Sequence, residues 1–348
     1  MSFGCKLRWG VLSTSSTAVG KAIPALLRCA NATLVAVASR DNGKASTCAA
    51  RFAIPRAYGT YEGLLQDPGV DAVYLPLPNS LHGEWTVRAA RAGKHVLCEK
   101  PAAVDPVVVE EMAAACAEAG VLFQEGFMYR FHPQFAVVRG WIEAGRIGQL
   151  RLVRISFSFP LESRHSRIRL QAALDGGALA DVGSYGIDLA CWLIGRQPDR
   201  VFAAGNRDFG ADVETSFTAV LDMAGGLHVA LDGGFDRPRQ GRCEIVGSTG
   251  TISIASPFFS GVEAEILLAN DVSPDCRRLP AEDLFQLQFE HFSACALTGI
   301  EPAISAAETL RTARVQAALR ESLTTGRPVD LAPSAAADAA STIEPKET

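Results

Sequence analysis

The first 125 residues alternate between short apolar runs and segments with helical periodicity, and this alternation constrains the fold more than any other feature. The apolar runs cover residues 7–12, 34–38, 72–75, 95–99 and 121–125. The first intervening segment places apolar residues at helical spacing from Val19 to Ala30. Strands that are apolar throughout and separated by helices predict a parallel sheet covered on both faces. With right-handed crossovers, this is an α/β doubly wound sheet of the Rossmann type.

The carboxyl edge of such a sheet is where ligands bind. The residues that follow the predicted strands are Ser13, Ser39, Pro76–Asn79 and Glu99–Pro101. We therefore expect these positions to lie along one rim of the first domain.

The pattern changes after residue 125, where strands follow one another with fewer helices between them. Alternating apolar residues mark strands near 150–159, 201–204, 215–222, 227–232, 243–247 and 251–255. This succession predicts an α+β domain with an open, mostly antiparallel sheet, one face of which is solvated or part of an interface. The expected boundaries are 1–125 for a nucleotide-binding domain, 126–331 for a second domain closed by helices near 285–297 and 306–324, and 332–348 for a disordered tail.

Composition narrows the possible partners of the chain. Its 348 residues suit about two domains, and a net charge of −5 without a basic patch argues against binding to nucleic acid or an anionic membrane. There is no apolar run long enough for a membrane span, and no His and carboxylate pair at metal-ligand spacing on one helix. The nine cysteines are scattered without a C-x-x-C pair, which favours reduced thiols in a cytoplasmic protein.

The turn after the first strand occupies the position of a phosphate-binding glycine motif but lacks its glycines. It contains Ser13, Thr14 and Ser15, with Ala18 at the last glycine position. Small side chains still allow close backbone approach, and a helix N-terminus rich in hydroxyls suits an anion. We expect these three residues to bind a dinucleotide; a helix cap without ligand is the alternative.

The end of the second strand predicts which dinucleotide binds. NAD enzymes usually carry an acidic residue there for the ribose 2′-hydroxyl, whereas this chain has Ser39 and Arg40. A guanidinium suits a 2′-phosphate in charge and geometry, so the prediction is NADP. Asp41 leaves NAD binding possible, because its carboxylate would either bind a ribose hydroxyl or neutralise the charge of Arg40.

Several separated stretches resemble the Gfo/Idh/MocA family of glucose–fructose oxidoreductase, inositol dehydrogenase and rhizopine catabolism proteins. They are residues 71–74, 78–82, 95–101, 127–133 and 176–185, and the likeness runs from about residue 7 to 331. The resemblance implies two domains, NAD or NADP binding, and oxidation or reduction of carbon–oxygen bonds on sugars and related compounds. It also implies a homo-oligomer, dimer or tetramer, formed through the open sheet of the second domain.

The same resemblance implies roles for two residues. The lysine of Glu99-Lys100-Pro101 would lie at the nicotinamide and substrate, with Lys100–Pro101 a candidate cis peptide bond. The family's D-x-G-x-H-x-x-D motif has Tyr185 in place of its histidine. This is similar to the branch of glucose–fructose oxidoreductase, xylose dehydrogenase, dihydrodiol dehydrogenase and nucleotide-sugar 3-ketoreductases, in which a tyrosine is the proposed proton donor or acceptor.

Tyrosine chemistry at neutral pH requires a nearby cation. A ketone that accepts a hydride needs a proton, and a free phenol has a pKa near 10, which a neighbouring ammonium lowers. We therefore predict Lys100 and Tyr185 as the catalytic pair, with Lys100 also orienting the substrate. The alternative is that Tyr185 is only a packed aromatic residue near Trp192.

The remaining candidates have both functional and structural interpretations. Pro76, Leu77, Asn79, His82 and Glu99 are assigned to the cofactor site, although His82 suits a structural role equally well. Arg130, Arg169 and Asp181 join Lys100 and Tyr185 as substrate-binding candidates, with helix capping as the alternative for Asp181. His132 precedes Pro133 and would cap the next helix. Arg164, Arg167 and Arg169 either bind a phosphate or carboxylate or form a solvated charged loop.

These features predict an NADP-dependent oxidoreductase that acts on a hydroxyl or keto carbon of a sugar or sugar nucleotide. Reduction of a keto-sugar is favoured over oxidation of an aldose of the xylose type or of a trans-dihydrodiol. An alternative of another class is an NADP-binding regulator without catalysis, because fold alone does not determine function.

Overall fold

The computed structural model describes residues 5–161, 168–208 and 210–332. The predictions made for Arg164 and Arg167, and for the tail beyond residue 332, lie outside the described residues. The described chain divides into two compact units. The first unit contains the residues through Met128 together with Asp283–Thr309, and the second contains Tyr129–Glu282 and the residues from Leu310 onward.

A six-stranded parallel sheet forms the centre of the first unit, as predicted. Its strands are β1 (Leu7–Leu12), β2 (Ala32–Ala38), β3 (Arg56–Tyr58), β4 (Ala72–Leu75), β5 (His95–Cys98) and β6 (Phe123–Glu125). Their order in the sheet is β3-β2-β1-β4-β5-β6, which is the order of a dinucleotide-binding Rossmann fold. The strand order reverses between β1 and β4, so the carboxyl ends of these two strands mark the expected ligand crevice.

Helices lie between the strands at positions close to those predicted. They are α1 (Ile23–Leu26), α2 (Asn42–Phe52), α3 (Tyr61–Leu65), α4 (His82–Arg91), α5 (Pro106–Glu118), α6 (Gln134–Glu143), α7 (Ser184–Ile194), α8 (Leu284–Thr298) and α9 (Ala306–Thr325). Side chains define several helix starts: Thr60 accepts the Gly63 N–H at 3.1 Å before α3, and Asp105 accepts the Val107 N–H at 2.9 Å before α5.

Helix α8 packs on the first unit, whereas its place in the sequence had suggested the second domain. The ring centroids of Phe289 and Phe292 lie 5.1 and 5.4 Å from that of Trp9 on β1. The Trp9 indole N–H donates to the hydroxyl of Ser293 at 2.9 Å. The apolar surface that a helix covers depends on tertiary packing, so sequence order alone placed α8 wrongly.

The second unit contains a nine-stranded sheet, which confirms the predicted open, mostly antiparallel architecture. Its strands are β7 (Leu150–Ser158), β8 (Arg200–Asn206), β9 (Ser216–Met223), β10 (Leu227–Gly234), β11 (Gln240–Gly247), β12 (Gly250–Ile254), β13 (Ala264–Asn270), β14 (Asp275–Leu279) and β15 (Val329–Asp330). They run in the order β14-β13-β12-β11-β7-β10-β9-β8-β15, and β7 and β10 form a parallel pair. Helix α7 packs against β7 and β10, and the other face of the sheet carries exposed apolar residues such as Phe202 and Val220.

Candidate active site

The turn after β1 holds its shape through its own hydroxyls. The Ser13 hydroxyl accepts the Ser15 N–H at 2.9 Å, and the Ser15 hydroxyl accepts the Ala18 N–H at 3.3 Å. The chain then enters a π-helical turn at Ala18–Ala22 that continues into α1. The first N–H groups of a helix have no partner within the helix, so the half-exposed start of this helix offers donors to an anion. Serines thus build the turn that glycines usually build in dinucleotide-binding folds.

Arg40 and the turn after β1 both interact with Tyr61, at the start of α3. Burial raises the pKa of the Tyr61 phenol, and the charge of Arg40 together with hydrogen bonds to Arg40 and Ser13 opposes that rise. The guanidinium of Arg40 is itself exposed. A cation, a phenol and a serine hydroxyl therefore meet beside the carboxyl ends of β1 and β2.

Asp41 caps α2, which gives this acidic residue a structural role. Its carboxylate accepts the Lys44 N–H at 3.1 Å, and the buried Ser39 accepts the Asp41 N–H at 3.2 Å. Asp41 therefore has a structural role as the N-cap. A cavity of about 440 Å³ opens beside it, lined in part by Thr14, Asp41 and Lys44. Lys44 adds a second cation that sequence analysis had not considered.

These residues fit a dinucleotide with a 2′-phosphate. The helix start suits a diphosphate, and Arg40 is an exposed cation at the end of β2, where that phosphate would lie. Among the described residues, no group of three or more His, Cys, Asp or Glu side chains could hold a metal ion.

The loop after β5 carries Lys100 and is held by two carboxylates, those of the partly exposed Glu99 and the buried Glu125. The Tyr74 hydroxyl donates to Glu99 at 2.5 Å, and the other Glu99 oxygen accepts the Lys100 N–H at 3.2 Å. The buried Glu125 accepts the Ala102 N–H at 2.8 Å. The Lys100–Pro101 bond is cis, as the family resemblance implied. Glu99 is thus engaged in shaping this loop, whereas sequence analysis had assigned it to the cofactor.

His82 connects this loop to the loop after β4. Its Nδ1 lies 2.8 Å from the carbonyl oxygen of Pro101, and its Nε2 lies 3.0 Å from that of Leu77. The side chain is fully buried, and burial lowers its pKa to about 4, although the facing carbonyls oppose this. Both ring nitrogens face the backbone, so the structural interpretation of His82 applies and a direct hydrogen bond from its ring to the cofactor does not.

The loop after β4 contains the other predicted cofactor residues. Pro76 and Leu77 are buried, whereas Asn79 is partly exposed. Asn79 begins a short 3₁₀ turn, Asn79–Leu81, that leads into α4.

Tyr185 lies in the first turn of α7 within an aromatic cluster of the second unit. Its ring centroid is 5.1 Å from that of Phe157, 5.4 Å from that of Phe258 and 5.8 Å from that of Tyr129. The residue is about nine-tenths buried. Aromatic packing thus fixes the ring, a role that is compatible with catalysis through the phenol oxygen.

Arg130 is part of a buried ion pair, which argues against its predicted contact with substrate. Its guanidinium donates to both carboxylate oxygens of Asp188, to which the Tyr129 hydroxyl also donates. The guanidinium stacks over Trp192, 4.9 Å from the ring centroid. Tyr129, Arg130 and Asp188 are all buried, so their hydrogen bonds stabilise the position of α7. His132 accepts the Gln134 N–H, the first of α6, at 3.0 Å, although the N-cap position itself is Pro133.

Asp181 and Arg169, both predicted to bind substrate, bind each other. The Arg169 Nε donates to Asp181 Oδ2 at 2.5 Å. Asp181 lies within the π-helical turn Leu179–Gly183 and not at a helix N-cap, which excludes the capping alternative. The carboxylate of Asp181 raises the pKa of the Arg169 guanidinium, and Tyr185 acts in the same direction. The cation of Arg169 therefore lies close to the proposed catalytic phenol.

Comparison with known proteins defines the class of this chain. A family model described as "Oxidoreductase family, NAD-binding Rossmann fold" matches residues 8–127, and one described as "GFO/IDH/MocA C-terminal domain" matches residues 135–253. The chain belongs to the Gfo/Idh/MocA oxidoreductase family.

Individual relatives cover nearly the whole chain. A D-xylose 1-dehydrogenase (NADP(+)) of Haloferax volcanii is 34% identical over 93% of this chain and 100% of its own. A dTDP-3,4-didehydro-2,6-dideoxy-alpha-D-glucose 3-reductase of Actinomadura kijaniata is 34% identical over 90% of this chain and 95% of its own. The structure of a 3-ketoreductase from Actinomadura kijaniata with NADP and TDP-benzene superposes with a TM-score of 0.86 at 33% identity, covering 91% of this chain and 98% of that one.

Proposed function

We propose that this chain is an NADP-dependent oxidoreductase that reduces a keto-sugar, either free or linked to a nucleotide. The observation that carries this proposal is the likeness, over nine-tenths of the chain, to a 3-ketoreductase that binds NADP and a TDP compound. Tyr185 in the position of the family's histidine supports the same branch. In this proposal the first unit binds the nucleotide, and the second supplies substrate contacts and the dimer interface.

The cofactor-binding residues are those at the carboxyl edge of the parallel sheet. Ser13, Thr14 and Ser15 hold the diphosphate with the start of the following helix. Ser39 and Arg40 bind the 2′-phosphate, and Lys44 adds positive charge nearby. Residues of the loops after β4 and β5, Pro76, Leu77, Asn79 and Lys100, lie beside the nicotinamide. When bound, the nicotinamide supplies or accepts the hydride.

Proton transfer falls to Tyr185. During reduction the keto oxygen gains an electron pair, and the Tyr185 hydroxyl donates a proton to it. During oxidation the phenolate takes that proton back. The ammonium of Lys100 orients the substrate oxygen and favours the phenolate.

A second candidate function is oxidation of an aldose of the xylose type, favoured by the similarity to the xylose dehydrogenase over 93% of this chain. Oxidation of a trans-dihydrodiol is a further alternative within the same chemistry. A panel of free aldoses, dihydrodiols and dTDP-linked keto-sugars, assayed with NADPH or NADP at 340 nm, separates these candidates. No turnover with any of them would favour the regulator without catalysis.

Replacement of Tyr185 tests the assigned chemistry. Tyr185→Phe removes only the hydroxyl, and we expect turnover to fall by about 10² to 10⁴, the contribution of general acid–base catalysis. NADPH affinity, measured by fluorescence titration, should change little. Tyr58→Phe is a matched control, because that hydroxyl donates to Asp67 beside β3. Unchanged turnover in Tyr185→Phe would remove Tyr185 from the mechanism.

Two broader proposals complete this assignment. All nine cysteines are free and seven are buried, which suits a reducing compartment, and we propose the cytoplasm. No helix in the described part of the chain is long and apolar enough to cross a membrane. We also propose that the chain forms a homo-oligomer through the exposed face of its nine-stranded sheet.

A further inference from the structure

The backbone holds Arg169 next to the helix that carries Tyr185. The Arg169 carbonyl accepts the Gly177 N–H at 2.8 Å. A Cβ at Gly176 would lie 2.5 Å from that carbonyl oxygen, and one at Gly177 would lie 2.3 Å from the carboxylate of Glu214. Gly177 also has a φ of +113°. The two glycines therefore allow the chain to bring Arg169 against the start of the helical segment.

Asp181 completes the arrangement. It lies four residues before Tyr185 on a continuous helical segment, so the two side chains share one face. Its carboxylate is bound by the Arg169 Nε at 2.5 Å. The Arg169 guanidinium also lies over the ring of Phe159, 5.8 Å from its centroid.

Among the described residues of the second unit, the groups that pack near Tyr185 include aromatic rings and a neutralised carboxylate. Phe157 comes from β7, and Phe258 comes from the segment after β12. Tyr129 donates to Asp188, whose charge is balanced by Arg130. Arg169 and Asp181 thus bring charge close to the phenol within this unit.

We propose that the Arg169–Asp181 ion pair is a positioning device that keeps the phenol of Tyr185 able to exchange its proton. This proposal rests on the proposed function of Tyr185. Arg169 neutralises a carboxylate that would otherwise oppose the phenolate, and its own charge favours the phenolate. Asp181 in turn holds the guanidinium in place. Tyr185 therefore has a cation from its own unit in addition to the proposed Lys100.

Electrostatics predicts that replacing Arg169 and replacing Asp181 shift the titration of Tyr185 in opposite directions. Arg169→Gln leaves the Asp181 carboxylate without its partner, and we expect the phenol to titrate about one pH unit higher, because partial exposure of Arg169 screens the charge. Asp181→Asn leaves Arg169 without its anion, and the phenol should titrate lower. The double variant should lie between the two single variants, and Arg169→Lys should restore part of the wild-type behaviour.

Absorbance of tyrosinate near 295 nm measures this titration in the protein alone. Subtracting the curve of a Tyr185→Phe version of each variant isolates Tyr185 from the other four tyrosines. Arg196→Gln and Asp199→Asn are matched controls, because this ion pair lies after α7, away from the phenol. Near-ultraviolet circular dichroism identifies any variant that fails to fold, and the opposite shift expected for Asp181→Asn then remains as an independent test.

The outcomes distinguish this proposal from the proposed function. An unchanged midpoint in Arg169→Gln, or shifts of the same sign in both single variants, would overturn the role of the ion pair. If the wild-type protein shows no hydride transfer, the proposed function fails while the titration still tests the electrostatic coupling. If both hold, the limb of the pH profile of kcat/KM that disappears in Tyr185→Phe should move with the spectroscopic midpoint.

Discussion

Asp41 illustrates at the scale of a single residue how local geometry gives an acidic side chain a structural role. An acidic side chain after β2 could bind a ribose hydroxyl and favour NAD. Here its carboxylate accepts the Lys44 N–H and starts α2. The neighbouring Arg40 is an exposed cation, which supports a 2′-phosphate as its ligand.

Replacement of Arg40 should therefore alter cofactor preference. Arg40→Ala removes charge-assisted hydrogen bonds of about 1.5–3 kcal/mol, so we expect NADPH affinity to fall by roughly 10- to 100-fold. NADH affinity should change much less. Fluorescence titration with each nucleotide measures both values. Arg91→Ala, at the end of α4, serves as the control, and an equal loss for both nucleotides would contradict the assignment.

The role of Arg130 depends on a partner that is distant in the chain. Its charge and its place beside a family motif suggested a substrate contact, but it pairs with Asp188, 58 positions away in the chain. An unpaired buried charge is very costly, so a buried arginine requires such a partner. The sequence shows both residues, but it does not indicate that they meet.

At the scale of elements, the loop carrying Lys100 depends on its neighbours. Glu99, Glu125 and His82 each hold one of its backbone groups. His82 reaches it from the first turn of α4 and also faces the loop after β4. The neutral ring has one N–H, so it ties one of the two loops by a hydrogen bond and packs against the other.

This tie should make stability depend on pH. The folded-state pKa of His82 is about 4, below the ordinary 6.5, so the unfolded chain binds more protons between these values. Stability from this group is therefore full above about pH 6.5 and is lost as the pH falls towards 4, by about 3 kcal/mol.

His82→Asn isolates that contribution. We expect the variant to be less stable than wild type by about 1–3 kcal/mol at pH 7.5, because a buried hydrogen bond is lost. Its stability should also fall less steeply between pH 6.5 and 4. Urea unfolding followed by circular dichroism gives both quantities, with His228→Asn on the surface of β10 as control. Equal acid sensitivity in wild type and His82→Asn would refute the interpretation.

Prediction of elements succeeded where apolar periodicity was strong. The parallel strands β1, β2, β4 and β5 are nearly continuous apolar runs because both faces of the sheet are covered. Strands β13, β14 and β15 were not predicted. All five residues of β14 are exposed or partly exposed and two are arginines, as suits a strand at the edge of a sheet. Such strands depend on hydrogen bonds to a neighbour more than on their own pattern.

At the scale of the whole molecule, the exposed face of the nine-stranded sheet is the surface proposed to join copies of this chain. Phe202 and Val220 lie directly opposite each other on β8 and β9 and are 40% and 46% exposed. The same face carries both signs of charge, including the Arg154–Glu244 pair. A surface with apolar residues and both charges can complement itself across a two-fold axis, so a second copy of this chain is the proposed occupant.

Light scattering after gel filtration tests this assembly. We expect the wild-type protein to have at least twice its chain mass of 36.9 kDa. Val220→Asp should shift it towards the monomer by burying an unpaired charge in the interface. Val107→Asp, at a 56% exposed position on α5, should have no effect. A monomeric wild-type protein at micromolar concentration would contradict the proposal.

The sequence by itself determined the parallel sheet, the antiparallel sheet and the family, because these depend on periodicity and on motifs that are local in the chain. It also identified Lys100, Tyr185 and Arg40 as candidates. Only the tertiary structure decided that α8 packs on the first unit, that Arg130 is bound by Asp188, and that Arg169 and Asp181 meet beside Tyr185. These outcomes depend on contacts between residues distant in the chain, where burial and charge pairing select partners that no local pattern records.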